Sequence, residues 1–179
     1  RKERKLPDVL SKEEIGAMLK ATPNLKHKCL IALIYSCGLR RSEAINMKLE
    51  DIDSKRMLIK IRGAKGNKDR YVQLSGHLLK IWRDYYKEYK PANYLFDGQN
   101  GQPTYSGESI VQVIKQSSQR AGIKKRVYPH ILRHSFATHH LEQGTDLRGH
   151  ESSKTTEIYT HIAQNAISKL KNPMDEMFD

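Results

Sequence analysis

Four patches of this sequence carry residue types suited to acting on an anion. Gly38-Leu39-Arg40-Arg41-Ser42-Glu43 sets an arginine where one helix ends and another begins. An arginine beside the N–H groups of a helix start suits a phosphate, by charge and by donor geometry. Glu43 follows Arg40 by three residues and is placed to brace its guanidinium from behind. Lys65 sits in the Gly63–Asp69 turn, where an ammonium can donate a proton to a leaving oxygen without a metal. His130 and Arg133 stand at i and i+3 on one helix face and offer two donors to a single phosphoryl group. Finally, Gly149-His150 precedes Thr155-Thr156-Glu157-Ile158-Tyr159-Thr160-His161. A tyrosine near a histidine and two anion-binding arginines can serve as a nucleophile.

Each patch has a bland counterpart. A basic turn or a lysine at a hairpin tip is usually just solvated, and a lone tyrosine is far more often structural than catalytic. An Arg and a His on a helix can be part of an ordinary polar face. His134, His139 and His140 invite a metal reading, but there is no H-E-x-x-H and no cluster of carboxylates, so no metal site is expected.

Elements that would position these residues are legible. Ser11 and Glu14 form a capping box, with Leu10 and Ile15 as a hydrophobic staple, so a helix starts near 12 and ends before Pro23. A second helix covers roughly 26–37 and stops at Gly38, and a short third follows Ser42 with Ala44, Ile45 and Met47 inward. Arg56–Ile61 and Tyr71–Leu74 read as strands joined by a Gly/Asn/Asp turn. Helices are expected at 76–89 (through Leu78, Leu79, Trp82 and Tyr85/Tyr86), at 107–121 before Gly122, and at 130–142 after Pro129. In the last of these, Leu132, Phe136 and Leu141 would anchor the apolar face. Residues 91–106 read as loop, and a last helical stretch from 163 is interrupted by Pro173. The fold class is therefore mainly α with a small antiparallel β-sheet.

Composition narrows the partner. The 179 residues hold 32 Lys+Arg against 20 Asp+Glu, a formal net charge of +12. Length fits one domain with a core that needs no disulfides. No stretch approaches the ~18–20 apolar residues of a membrane span. Basic residues are spread along the chain rather than gathered on one amphipathic helix, so nucleic acid is the first partner to test. Cys29 and Cys37 lie in an apolar helical stretch and read as reduced core thiols, which points to a cytoplasmic protein. The start, Arg1-Lys2-Glu3-Arg4-Lys5, is charged, leads into no apolar run and lacks Met, as in a fragment or a processed chain.

Taken in order, the motifs resemble the catalytic domain of tyrosine recombinases, the Xer and phage-integrase family. They are Gly-Leu-Arg-x-Ser-Glu, Gly-x-Lys-Gly-Asn-Lys-x-Arg, His-x-Leu-Arg-His-Ser-Phe-Ala-Thr-His, Gly-His and Thr-Thr-x-x-Tyr-Thr-His. Any one is weak; all five in sequence are specific. The resemblance implies the DNA breaking-rejoining fold and a site-specific recombinase or integrase. Tyr159 would be the nucleophile, Arg40 and Arg133 would bind the non-bridging oxygens, and His130 and His150 would hydrogen-bond the same group. Lys65 would be the general acid, and Glu43 a supporting residue behind them. No cofactor, metal or ATP is implied: two fixed arginines can stabilise the equatorial charge, and nearby cations help a tyrosine of ordinary pKa about 10 to ionise.

The implied partner is double-stranded DNA carrying a recombination site, with a tetramer of the protein on two sites, in the cytoplasm with the nucleoid and without a membrane. Residues 1–9 would be a linker remnant, 10–162 the catalytic domain, and 163–179 a tail that docks on a neighbouring protomer through Ile167, Leu170, Met174, Met177 and Phe178. The family's N-terminal core-binding domain is not in this chain. One departure stands out. Asp146-Leu147-Arg148 runs directly into Gly149-His150, roughly six residues short of the family pattern, or about one and a half helical turns. The junction is either a true deletion or the place where a stretch of the natural protein is left out. A type IB topoisomerase-like nicking-resealing enzyme and a non-catalytic DNA-binding regulator are the alternatives, and an RNA-binding module ranks below both.

Overall fold

Thirteen residues, Leu25–Cys37, form helix α2, and every side chain from Cys29 to Cys37 is buried. A helix apolar on all sides has to be the centre of its domain, and α2 packs against helices on several sides. The computed structural model describes residues 8–64, 68–100, 102–144 and 171–178. Around α2 stand α1 (Lys12–Lys20), α3 (Arg41–Ile45), α4 (Gly76–Tyr89), α5 (Gly107–Arg120), α6 (Pro129–Gly144) and the short α7 (Pro173–Glu176). Three strands, β1 (Ile52–Asp53), β2 (Leu58–Ala64) and β3 (Lys68–Gln73), form one antiparallel sheet in the order β1-β2-β3. The domain is thus mainly α with a small antiparallel sheet.

Local chemistry sets most boundaries. Ser11 Oγ accepts the Glu14 N–H and Glu14 accepts the Ser11 N–H, while Leu10 and Ile15 are wholly buried. This is the expected capping box with its staple. Helices α2 and α5 both end in the paired bonds of a Schellman motif. Leu39 N–H donates to Ile34 O at 3.1 Å and Gly38 N–H to Tyr35 O at 3.3 Å; Ile123 and Gly122 repeat the pattern on Ser118 and Gln119. Gly38 has φ +58°, and a Cβ there would lie 2.5 Å from the Phe136 ring, so both backbone and packing require glycine.

The hairpin pairs Ile59 with Val72 and Ile61 with Arg70. Strand β1 pairs Ile52 with Ile59 and had no counterpart in the sequence expectation. Cys29 and Cys37 are free, buried thiols, and burial pushes both up from their ordinary value.

Two local expectations change. Helix α3 begins two residues early, at Arg41, with Arg40 in the capping position, because the Glu43 carboxylate rather than the Ser42 hydroxyl takes the free N–H. On α6 the buried set includes Ile131, Leu132 and Ala137, while Phe136 and Leu141 are only half-buried. Pro173 opens the last described helix: Asn172 Oδ1 accepts the Met174 N–H at 3.0 Å, and a proline at the first helical position loses no bond.

Where the tail is described, residues 171–178 pack on the chain's own core. Met174 is fully buried, Asn172 Nδ2 donates to Ser36 O, and Asp175 Oδ1 accepts from Ser75 Oγ and the His77 N–H. Residues 163–170 lie outside the described residues.

Candidate active site

The end of α2 delivers the first basic residue. After the αL turn at Gly38, Leu39 drives into the core and leaves Arg40 extended at φ −74°, ψ 155°. Three residues on, Glu43 turns back, and its Oε2 accepts the Arg40 N–H at 2.8 Å. The Arg40 N–H is therefore spent inside the protein.

Glu43 is the hub. Its side chain is only 6% exposed. Arg70, from β3, meets both carboxylate oxygens at 3.1 Å in a fork-to-fork pair. Arg40 Nη1 lies 3.5 Å from Oε1 and Arg133 Nη1 3.8 Å from Oε2. Arg133, on α6, is 8% exposed and also donates through Nη1 to the Gly38 carbonyl, the last turn of α2. Arg40 and Arg133 are thus gathered from distant parts of the chain around one carboxylate. Among the described residues three guanidinium charges face one carboxylate charge, so the cluster keeps a surplus of positive charge at a half-exposed Arg40.

His130 sits one turn before Arg133 on α6 but does not share its environment. Three residues rotate an α-helix by about 300°, leaving the two side chains some 60° apart. Arg133 turns under onto Gly38, while His130 stays exposed. The His130 and His134 ring centroids are 6.3 Å apart. Burial lowers the pKa of His134, and the charges of His130 and Arg133 lower it further, as expected beside a cationic cluster.

The remaining α6 histidines belong to the core. His139 Nδ1 hydrogen-bonds Tyr35 Oη at 2.8 Å. His140 sits edge-on to Phe136 and burial lowers its pKa to about 4. Among the described residues no group of three or more His, Cys, Asp or Glu is arranged to hold a metal ion. Lys65, His150, Tyr159 and the Arg148–Gly149 junction lie outside the described residues.

Arg70 closes the Gly-x-Lys-Gly-Asn-Lys-x-Arg motif, but sequence reasoning gave it no role. Its signal was positional: in β3, residues 70 and 72 share a face with Leu74, and Val72 and Leu74 are buried. An arginine on that inward face must meet a carboxylate.

A family model described as the phage integrase family matches residues 8–166. The tyrosine recombinase XerD of Staphylococcus saprophyticus is 39% identical over 189 residues, covering 95% of this chain and 63% of XerD. That alignment is longer than the 179-residue chain, so XerD carries residues with no counterpart here. Among solved structures, the XerA recombinase superposes with a TM-score of 0.75 at 31% identity, covering 93% of this chain and 63% of XerA. The XerH site-specific recombinase, in a pre-cleavage complex bound to difH substrate, superposes with a TM-score of 0.70 at 27% identity, covering 92% and 53%. The chain therefore spans about three fifths of the relatives it matches. No helix among the described residues is long and apolar enough to cross a membrane.

Proposed function

The chain belongs to the phage integrase family, and from that premise we propose that it is the catalytic domain of a site-specific DNA recombinase. The convergence of Arg40 and Arg133 on Glu43 carries this reading. Two fixed guanidinium groups bind the non-bridging oxygens of the scissile phosphate and hold the charge that grows there in the transition state. His130, exposed on the same helix as Arg133, and His150 hydrogen-bond the same group. The Tyr159 oxygen attacks phosphorus as its proton passes to the histidines, the bond to the 5′ oxygen breaks, and Lys65 gives that oxygen its proton. The products are a 3′-phosphotyrosyl enzyme and a 5′-hydroxyl. Attack by the 5′-hydroxyl of a partner strand reverses the step and joins the exchanged ends, with no net loss of phosphodiester energy.

Double-stranded DNA is the partner, a reading supported by the XerH complex with difH substrate and by the +12 charge of the chain. Exchange between two duplexes takes place in a tetramer, in the cytoplasm with the nucleoid. The shortfall between Asp146-Leu147-Arg148 and Gly149-His150 against the family pattern supports the reading that Arg148 and Gly149 are joined across a missing segment.

Covalent trapping tests the assignment. The protein is incubated in EDTA with a pool of nicked duplexes of randomised sequence, and SDS-resistant adducts are collected and sequenced. We expect an adduct that Tyr159→Phe removes while DNA retention on a filter persists. An adduct surviving Tyr159→Phe would sink the assignment. Filter retention should also fall steeply with added salt, because phosphate contacts dominate affinity.

A further inference from the structure

Arg70 has no place in the chemistry just described, yet it makes the best pair in the cluster. It meets Glu43 with two bonds of 3.1 Å, whereas Arg40 and Arg133 stand at 3.5 and 3.8 Å from the same carboxylate. Its side chain is 17% exposed, so it reaches the site from behind rather than from solvent. Both terminal nitrogens are used on Glu43, and its Nε has no hydrogen-bond partner among the described residues. Strand pairing fixes its origin, opposite Ile61 in the hairpin.

Glu43 is needed where it is, because it caps the Arg40 backbone at 2.8 Å. A buried carboxylate beside two phosphate-binding arginines is also a hazard. It is an anion competing for the same guanidinium donors as the DNA phosphate. We propose that Arg70 is a positioning residue that saturates Glu43, so that Glu43 fixes the Arg40 backbone without capturing the Arg40 side chain. The inference rests on the reading of Arg40 as a phosphate ligand. Arg70 is suited to the task because its planar fork occupies both carboxylate oxygens at once, which an ammonium cannot do. Burial lowers the Arg70 pKa, Glu43 opposes that shift and the Arg40 charge adds to it, as expected for cations crowded about one anion. An arginine nonetheless stays charged.

The test measures inorganic phosphate binding by the full chain, followed through the Arg40 Nε–H signal in NMR titrations. Wild type should show a saturable shift. Arg70→Met should weaken phosphate by about tenfold, since the unsatisfied carboxylate now holds Arg40. Adding Glu43→Gln should bring affinity back to within about threefold of wild type: the amide still accepts the Arg40 N–H but no longer competes as an anion. A merely structural Arg70 would predict the opposite, a double variant at least as impaired as Arg70→Met. No phosphate-dependent shift in wild type, an unchanged Arg70→Met, or a double variant without recovery would each overturn the proposal.

Should Arg70→Met give no cooperative melting, Arg70→Lys carries the test. A single-point ammonium should cost about threefold in phosphate affinity, relieved by Glu43→Gln; no loss, or no relief, overturns the proposal. The result is separable from the covalent assay. Wild type that binds phosphate through Arg40 but forms no adduct refutes strand cleavage and leaves the role of Arg70 standing. An adduct-forming wild type whose phosphate affinity ignores Arg70 does the reverse.

Discussion

Glu43 and Asp51 each stand three positions after the residue that opens a short helical turn, and each carboxylate accepts that residue's backbone N–H, from Arg40 at 2.8 Å and from Lys48 at 2.9 Å. Each also holds an arginine from the hairpin, Arg70 for Glu43 and Arg62 for Asp51, the latter through Nε at 2.6 Å. Both side chains are almost wholly buried. The charge around them differs. Arg70, Arg40 and Arg133 all face Glu43. At the other site Glu50 joins through Arg62 Nη2 at 2.7 Å, so two carboxylates share one guanidinium. The same small frame thus serves as an anion-attracting cluster in one place and as a clamp between strand and turn in the other. The local backbone does not separate the two; the number of cations per carboxylate does.

Removing each carboxylate tests that difference most severely. Glu43→Ala leaves Arg70 buried without the carboxylate that takes both its terminal nitrogens. It should cost about 3 kcal/mol in urea unfolding and slow adduct formation sharply. Asp51→Ala leaves Arg62 free to turn into water from its half-exposed position and should cost about 1 kcal/mol, with adduct formation unchanged. If both substitutions slowed the adduct equally, charge count would not be what separates the two sites.

Smaller is a pH effect at the far end of α6, away from both carboxylates. Burial lowers the pKa of His139, and of His140 to about 4. In the unfolded chain these imidazoles titrate near 6.5. Unfolded protein therefore binds more protons between those values, so stability is fully present above about pH 6.5 and is lost as pH falls toward 4. The urea midpoint should decline over that window, and His140→Phe should flatten the decline. A decline of the same slope in the variant would place the titrating group elsewhere.

The least effect belongs to Arg62→Ala. With 43% of that side chain exposed, its ion pairs are screened by water and add little to stability, and added salt should erase the difference in urea midpoint from wild type.

Local chemistry explains why some of this was readable in the sequence. The Ser11 capping box, the glycine ends of α2 and α5 and the span 76–89 depend on neighbours within a few residues, and these stand where expected. Strand β1 is two residues long and exists because Ile52 finds Ile59, a tertiary pairing with no local signature. Of the site, Arg40, Glu43 and Arg133 come together. The brace between Glu43 and Arg40, however, turned out to be chiefly a backbone cap, with Arg70 taking the carboxylate face to face. Spacing on α6 suggested that His130 and Arg133 act side by side. Helical periodicity gives direction but not depth, and only the packing of α6 on the end of α2 shows that one is buried and the other is not.

Gly38 gives the domain an order of events. Its carbonyl receives Arg133 from 95 positions away, and its bare Cα lets the Phe136 ring close over the same turn. Arg133 therefore reaches Glu43 only after α6 has settled on α2, a contact between segments far apart in the chain and so late to form. With α6 undocked, Arg133 is absent from this carboxylate, so the cluster around Glu43 is complete only once α6 has settled on α2.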